Sequence, residues 1–255
     1  MIHCKCNFYS DSLKYHTDIN VLLPKPAGGN EKFPVLFLLH GGSDDCNSWM
    51  RQTAAERYAR EHGVALVMPS GHNSFYCDAV YGEAFFTYIT EELVPLVRRL
   101  FPVSDKREET FFAGSSMGGY GSTLIAMKRP DLLSAFGVFS GAIDPYRIET
   151  RLREIGINDV RFDLIFGGSE TIEGGPYDLF KQVRDFPDHE DKAFSVIYCG
   201  EEDIINYDMS VELYEALLEK GFDSRFVARG GGHDFLFWDS CLEDFFGQLK
   251  KEGLV

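Results

Sequence analysis

Ser116 is the centre of a Gly-x-Ser-x-Gly pattern, with Gly114 two positions before it and Gly118 two positions after it. Glycines at these positions let a strand and the following helix approach closely while the serine between them adopts a strained backbone. Such a turn presents the serine hydroxyl for attack on a carbonyl carbon. The adjacent Ser115 does not fit, because the residues two positions away from it carry side chains that would collide in the turn. The spacing therefore predicts Ser116 as a nucleophile.

A serine hydroxyl becomes a strong nucleophile only when a base removes its proton, so Ser116 requires a histidine and an acid that orients the histidine. His233 follows the glycine run 230–232 after a predicted strand, and such a loop can bring an imidazole over the edge of a sheet. Asp203 follows another predicted strand. Three other acids lie close to it in the sequence: Glu201, Glu202 and Asp208. The order serine, acid, histidine, with the acid a few residues after such a strand, favours Asp203.

Attack on a carbonyl places negative charge on its oxygen, which backbone amides can stabilise. The amide of Met117 directly follows the nucleophile and would begin a helix, whose N-terminus adds positive potential. A second donor is expected from residues 40–43, where two glycines let the main chain face the site, and we select Gly42. His40 is expected to be structural, because this site needs backbone donors there rather than an imidazole.

The order of predicted elements indicates an α/β fold. Strands are predicted at 5–10, 14–23, 34–39, 64–68, 110–113, 136–140, 194–199 and 224–228, and helices at 48–61, 85–101, 118–127, 209–220 and 234–250. The first two strands alternate apolar and polar residues and form an expected antiparallel pair, whereas most later strands are continuously apolar, as in a buried parallel sheet. We expect a single domain over 1–255, with a mostly parallel central sheet flanked by helices.

Residues 141–192 are too many for an ordinary connection and are predicted to form a small cap-like insertion over the carboxyl ends of the strands. The alternative is a surface insertion unrelated to substrate. At the same edge, after the strand at 64–68, His72, Phe75 and Tyr76 are predicted to line a substrate pocket. A packed loop is the alternative for these three residues.

The net charge of −15 excludes an electrostatic basis for binding nucleic acid or an anionic membrane and favours neutral or cationic substrates.

The chain starts without a charged and then apolar leader, and no segment is long enough to span a bilayer, so a cytoplasmic location is expected. The six cysteines are dispersed, lack metal-ligand spacing and are expected to be reduced. No metal and no cofactor are expected.

The chain resembles the esterase D-like branch of the α/β-hydrolases, and within that branch it is most similar to tributyrin esterases. The resemblance covers most of the chain and is carried by residues 39–42 with Trp49, 69–76, 114–121, 200–203, and 232–235 with Trp238. It implies an α/β-hydrolase fold with Ser116 as nucleophile, His233 as base and Asp203 as acid. It also implies an oxyanion hole formed by the amides of Gly42 and Met117.

The resemblance further implies a small-molecule ester as substrate, with a short acyl group on an alcohol or thiol, and an oligomer of identical chains. A serine carboxylesterase is thus the leading prediction. An S-formylglutathione hydrolase-like thioesterase is one alternative, although that group usually carries Ser-Gly-Leu where this chain has His-Gly-Gly at 40–42. A hydrolase fold that binds an acyl or glycosyl ligand without catalysis is the other.

Overall fold

The computed structural model describes residues 1–25, 28, 32–154, 156–157, 159–168, 171–188 and 191–255. These residues contain one eight-stranded sheet. Its strands are β1 (Ile2–Ser10), β2 (Tyr15–Leu23), β3 (Val35–Leu39), β4 (Ala65–Pro69), β5 (Thr110–Ser115), β6 (Ala135–Phe139), β7 (Phe194–Gly200) and β8 (Ser224–Arg229). Their spatial order is β1-β2-β4-β3-β5-β6-β7-β8.

The sheet is antiparallel only at its N-terminal edge. β1 pairs with β2 and β2 with β4 in antiparallel register, whereas β4, β3, β5, β6, β7 and β8 pair in parallel. Every residue of β3 to β7 is buried, as expected for strands that are covered on both faces. The predicted mostly parallel sheet with an antiparallel N-terminal pair is confirmed.

Helices cover both faces of this sheet. They are α1 (Ser48–Gln52), α2 (Ala55–His62), α3 (Phe85–Thr87), α4 (Val94–Leu100), α5 (Met117–Lys128), α6 (Pro145–Glu154), α7 (Arg161–Phe166), α8 (Leu179–Asp185), α9 (Tyr207–Glu219) and α10 (Phe235–Lys251). One apolar core lies between the sheet and the layer containing α4, α5, α8 and α9, and a second lies under α1, α2 and α10. The two layers hold the parallel strands, and therefore their carboxyl ends, in fixed positions.

The predicted helix at 48–61 is divided in two, because Thr53 adopts an extended backbone with φ of −137°. The Thr53 hydroxyl donates to Trp49 O at 2.5 Å. Asp239, in α10, accepts a hydrogen bond from the Ala54 amide at 2.7 Å, just where α2 begins. A side chain far along the chain thus caps the second helix, which local spacing could not indicate.

The predicted helix at 85–101 is uninterrupted from residue 85 to residue 100, but its hydrogen-bond pattern changes in the middle. Residues Tyr88–Leu93 form a π-helical turn between α3 and α4. Pro95 lies directly after this turn, near the start of α4. Because proline has no amide hydrogen and its ring crowds the carbonyl four residues earlier, the wider turn accommodates it.

Part of the 141–192 segment is fixed to the loop that follows β4. Val80 N donates to Ile165 O and Tyr81 N donates to Leu164 O, each at 2.9 Å. The Tyr177 hydroxyl donates to Asp78 O at 2.6 Å. These contacts attach the segment to the carboxyl edge of the sheet, and its role as a cap stays a prediction.

Among the helices that the structure describes, none combines the length and the apolar character needed to cross a membrane.

Gly114 and Gly118 allow β5, α5 and the end of β3 to meet directly. A methyl group placed on Gly114 would lie 2.6 Å from the Gly118 carbonyl carbon and 2.7 Å from Leu39 O. A methyl group on Gly118 would lie 2.4 Å from Leu39 O. The obstructing atoms are backbone atoms and cannot rotate away. The glycine spacing seen in the sequence therefore corresponds to a backbone crossing without room for side chains.

We predict that Gly118→Ala lowers the free energy of unfolding by about 3 kcal/mol, because the added methyl group forces α5 away from β3. Gly247→Ala in α10 is the matched control, since nothing lies within 4 Å of its added methyl group. We expect this control to raise the free energy by about 0.5 to 1 kcal/mol through helix propensity. Urea unfolding of both variants checks this, and equal stabilities would contradict the crossing.

Candidate active site

Ser116 occupies the turn between β5 and α5. Its φ of 51° and ψ of −115° are a backbone conformation that residues other than glycine rarely adopt. Its amide donates to Phe139 O at 2.9 Å, and its carbonyl accepts from Gly119 N at 3.0 Å. Ala142 N donates to the same carbonyl at 3.0 Å. Hydrogen bonds from neighbouring elements therefore hold the strained backbone in place.

The two adjacent serines differ in accessibility. Ser115 is fully buried at the end of β5, whereas Ser116 is only partly buried. Of the two hydroxyls, that of Ser116 is the one that solvent or a substrate can reach.

Asp203 and His233 meet at the carboxyl ends of β7 and β8. His233 Nδ1 lies 2.7 Å from Asp203 Oδ2, and the side chain of Asp203 is 1% exposed against 37% for His233. Burial by itself would raise the pKa of the Asp203 carboxyl, but hydrogen bonds and charge from His233, together with hydrogen bonds from Asn206, hold that pKa below its usual value. The buried acid is thus kept as a carboxylate, hydrogen-bonded to Nδ1 at the edge of a partly exposed imidazole.

The other predicted acids are used differently. The Asp208 carboxylate pairs with Arg147 and Arg151. The Glu202 carboxylate accepts a hydrogen bond from the Gly231 amide. Among the carboxylates that the structure describes, Asp203 is the one hydrogen-bonded to His233.

Within the glycine run before His233, Gly231 has a packing reason, because its φ is 143° and an added methyl group would lie 2.6 Å from the Phe237 ring. A methyl group on Gly200 would lie 2.1 Å from Gly231 O, so the loops after β7 and β8 touch through their backbones. Glu202 N also donates to Gly231 O at 3.1 Å. Together with the Glu202 carboxylate, this contact fixes the loop that carries the histidine. Sequence analysis considered Glu202 only as a competing acid and missed this positioning contact.

The loop after β3 carries the predicted donor Gly42. Ser43, with φ of 65°, donates its amide to Asn73 Oδ1 at 2.6 Å. A methyl group on Gly41 would lie 3.4 Å from Ser115 Oγ, which places the loop beside the end of β5. Met117 is the first residue of α5, so its amide points out of a helix N-terminus. Both predicted amides therefore lie at the edge of the sheet that carries Ser116.

The buried side chain of His40 supports this loop through hydrogen bonds. Its Nε2 accepts from Gly71 N at 2.8 Å, and therefore its Nδ1 carries the proton and donates to Gly41 O at 2.7 Å. Burial lowers the pKa of His40 to about 4, which the hydrogen bond to Gly41 offsets only in part. A neutral imidazole thus connects the loop after β3 to the loop after β4.

The residues predicted to line a substrate pocket lie in the loop after β4 but have different surroundings. Tyr76 is fully buried, and its hydroxyl donates to His40 O at 3.1 Å. Phe75 is half-buried and packs edge-on against Tyr120 with ring centroids 5.5 Å apart. His72 is exposed and lines a cavity of about 160 Å³. Substrate contact stays a prediction for all three residues, and the buried Tyr76 supports the loop through its bond to His40.

The larger cavity of about 710 Å³ lies elsewhere, between α6, α8 and α9. Neither Ser116 nor His233 lines it. His233 Nδ1 contacts both Asp203 and Asn206, and no hydrogen bond joins His233 to the Ser116 hydroxyl in the described part of the chain. The described residues also contain no group of three or more histidine, cysteine, aspartate or glutamate side chains that could hold a metal ion.

Asn206 and Asn73 are the site residues that sequence analysis did not single out. Asn73 lies within the stretch 69–76 that carries the family resemblance, but its bond to Ser43 depends on how two loops meet. Asn206 directly precedes α9 and lies three residues after Asp203. That spacing at a helix start is a signal that could have identified it.

Comparison with known proteins places the chain among esterases. A family model described as "Putative esterase" matches residues 10–245. An acetyl esterase of Caldicellulosiruptor saccharolyticus is 30% identical over 261 residues, which cover 96% of this chain and 97% of that protein.

Two solved structures from Staphylococcus aureus, each 27% identical, cover 97% of this chain and 98% of their own. They are the fluorophosphonate-binding serine hydrolase F, with a TM-score of 0.88, and the S-formylglutathione hydrolase FrmB, with a TM-score of 0.87. The expected α/β-hydrolase fold and an ester hydrolase activity are confirmed, while the nearer likeness to tributyrin esterases stays a prediction.

We predict that His40 makes folding sensitive to acid. The unfolded chain takes up a proton at this histidine near pH 6.5, but the folded chain binds it only near pH 4. Stability is therefore lost as pH falls through this window, by about 2 kcal/mol between pH 7 and pH 5. Urea unfolding at both pH values should show this loss in the parent and a smaller loss in His40→Asn. Identical pH dependence in the two proteins would contradict it.

Proposed function

Because this chain belongs to that esterase family and is a carboxylic ester hydrolase, we propose that it is a serine carboxylesterase for short-chain acyl esters, with Ser116, His233 and Asp203 as its catalytic triad. The observation that carries the proposal is the 2.7 Å contact between His233 Nδ1 and the buried Asp203. It lies at the same sheet edge as the strained, accessible Ser116. A short acyl group is supported by the acetyl esterase among the relatives.

The first step uses the tautomer that Asp203 selects. With the proton on Nδ1 donated to Asp203, the other ring nitrogen of His233 is free to accept the hydroxyl proton of Ser116. Ser116 Oγ then forms a bond to the ester carbonyl carbon, and the carbonyl π electrons move to the oxygen. In an unliganded enzyme the serine and histidine need not be in contact, because such hydrogen bonds tighten when substrate binds.

The tetrahedral intermediate carries its negative charge on the former carbonyl oxygen. The amides of Gly42 and Met117 donate to this oxygen, and the N-terminal end of α5 adds positive potential. When the carbon–oxygen bond to the alcohol breaks, His233 gives its proton to the leaving oxygen. The acyl group then remains bonded to Ser116 Oγ.

Water completes the cycle. His233 accepts a proton from the water as its oxygen attacks the acyl carbon, the same amides stabilise the second intermediate, and His233 returns the proton to Ser116 as the acid product leaves. No cofactor takes part in this scheme. Asp203 remains ionised throughout, in keeping with its lowered pKa.

The substrate is a neutral or cationic small molecule, since a net charge of −15 disfavours the approach of anions. His72 and Phe75 line the pocket from the loop after β4. A cytoplasmic location and an assembly of identical chains stay predictions from the sequence.

We predict that Ser116→Ala lowers kcat on p-nitrophenyl acetate by about 10⁶-fold, because the nucleophile is lost. Ser115→Ala is the matched control, since that neighbouring hydroxyl is fully buried, and it should keep most of the activity. Steady-state hydrolysis by both folded variants checks this. Parent-like turnover by Ser116→Ala would exclude the proposed nucleophile.

Thioester hydrolysis is the second candidate function, and the likeness to the S-formylglutathione hydrolase FrmB favours it. The same triad would serve, with a thiolate in place of the alkoxide leaving group. Two features count against it: the His-Gly-Gly sequence at 40–42 and the acidic surface, which does not attract an anionic thiol.

We predict that kcat/KM for a short alkyl or aryl acetate exceeds that for S-formylglutathione by at least about 10-fold, since repulsion from the acidic surface slows the encounter with the anion. The comparison should include acyl groups from acetyl to octanoyl and a feruloyl ester, at low salt. A higher kcat/KM for the thioester would replace the carboxylesterase assignment by the thioesterase.

A further inference from the structure

Asn206 donates hydrogen bonds to both carboxylate oxygens of Asp203. Its side-chain nitrogen donates to Asp203 Oδ1 at 3.0 Å and to Oδ2 at 3.2 Å, and its backbone nitrogen donates to Oδ1 at 3.2 Å. Asn206 is 2% exposed. The Asp203 carboxylate is therefore held at both oxygens by one buried residue, which leaves Oδ2 directed to His233.

The orientation of this amide is fixed by its surroundings. An ionised carboxylate only accepts hydrogen bonds, so the amide nitrogen of Asn206, not its oxygen, must face Asp203. The adjoining backbone is equally constrained, since the Asp203 carbonyl accepts from Asn206 N at 3.2 Å and from Tyr207 N at 3.0 Å. Asp203, Asn206 and the start of α9 thus form one rigid turn.

The Asn206 amide is only partly hydrogen-bonded. Within the described residues, Asn206 Oδ1 has no hydrogen-bond partner, and the hydroxyls of Ser140 and Ser210 are likewise buried without partners. A buried amide oxygen without a partner costs about 1 to 3 kcal/mol. The hydrogen bonds that the amide nitrogen donates to Asp203 offset this cost.

The same nitrogen also lies 3.1 Å from His233 Nδ1. It is the positive end of the amide dipole, so it opposes positive charge on the imidazole. The other groups around His233 are Asp203, the ring of Trp238 at 5.0 Å, and Asp234, whose carboxylate accepts from Phe237 N. The Glu202 carboxylate is held at Gly231. Asn206 is thus an uncharged residue whose amide nitrogen lies beside both the Asp203 carboxylate and His233 Nδ1.

We propose that Asn206 is a positioning residue of the esterase: it fixes the Asp203 carboxylate toward His233 and limits the stabilisation of the protonated imidazole. This inference rests on the proposed triad. It assigns to Asn206 an effect on the pH range of activity, in addition to an effect on rate.

The test compares two variants. Asn206→Ala removes both N–H donors of the side-chain amide, and Asn206→Ser, whose side chain is close in size to that of alanine, keeps one O–H donor. Without the amide dipole, protonation of His233 becomes easier, so the pH of half-maximal kcat/KM on the acidic side should rise. We expect a rise of about half a unit or more in Asn206→Ala, a smaller rise in Asn206→Ser, and a fall in kcat of about 10- to 100-fold in Asn206→Ala.

Asn20→Leu is the control, because Asn20 is also a buried, hydrogen-bonded asparagine but lies in β2. It should lose stability and keep the parent's pH profile, which separates the proposed effect from general loosening. Urea unfolding identifies the folded fraction of each variant. If the acidic side of the kcat/KM pH profile of Asn206→Ala coincides with that of the parent, the proposal is overturned. Parent-like hydrolysis by Ser116→Ala would instead remove the triad itself, so the two failures are distinguishable.

Discussion

The backbone crossing of β5, α5 and the end of β3 is the constraint on which the site depends. Gly114 and Gly118 leave no space for side chains between these elements, and Leu39 O lies where either added methyl group would be. The crossing turns the chain sharply at Ser116, whose φ of 51° is the consequence. The serine hydroxyl is thereby raised to the accessible edge of the sheet, while the hydroxyl of the preceding Ser115 stays buried.

Most other residues with a strained, positive-φ backbone lie at this same edge of the sheet. Apart from Lys14, the described residues other than glycine with positive φ are Ser43, His72, Phe75, Tyr76, Ser116 and Ser140. They follow the ends of β3, β4, β5 and β6, which are neighbours in the sheet. Such conformations cost about 1 to 3 kcal/mol each and persist only where surrounding contacts determine them. Here the contacts are specific, as in the bonds of Asn73 to Ser43 and of Ser74 Oγ to Tyr76 N at 3.0 Å.

The features that the sequence predicted are those set by short-range spacing or by the order of elements. The glycines around Ser116 and the apolar strands are local signals, and the order of the elements brings Asp203 and His233 to one edge. The break at Thr53 was missed, and the Asp239 carboxylate that caps α2 there is 185 residues from Ala54 along the chain. Asn206 was missed although its place three residues after Asp203, at the start of α9, is a local signal. Tyr76 was predicted as a pocket residue from its place after the strand at 64–68, and its ring fills the space left by Gly71 and Gly121.

Covalent labelling of the folded protein tests the central claim, that the elbow serine is the residue activated for nucleophilic attack. The protein is treated with a fluorophosphonate probe, and the modified residue is identified by tandem mass spectrometry. We predict one adduct, on Ser116, that is absent when the protein is unfolded before labelling and forms far more slowly in His233→Ala. An adduct on Ser115 or on another residue, or no adduct in protein that hydrolyses esters, would contradict the account.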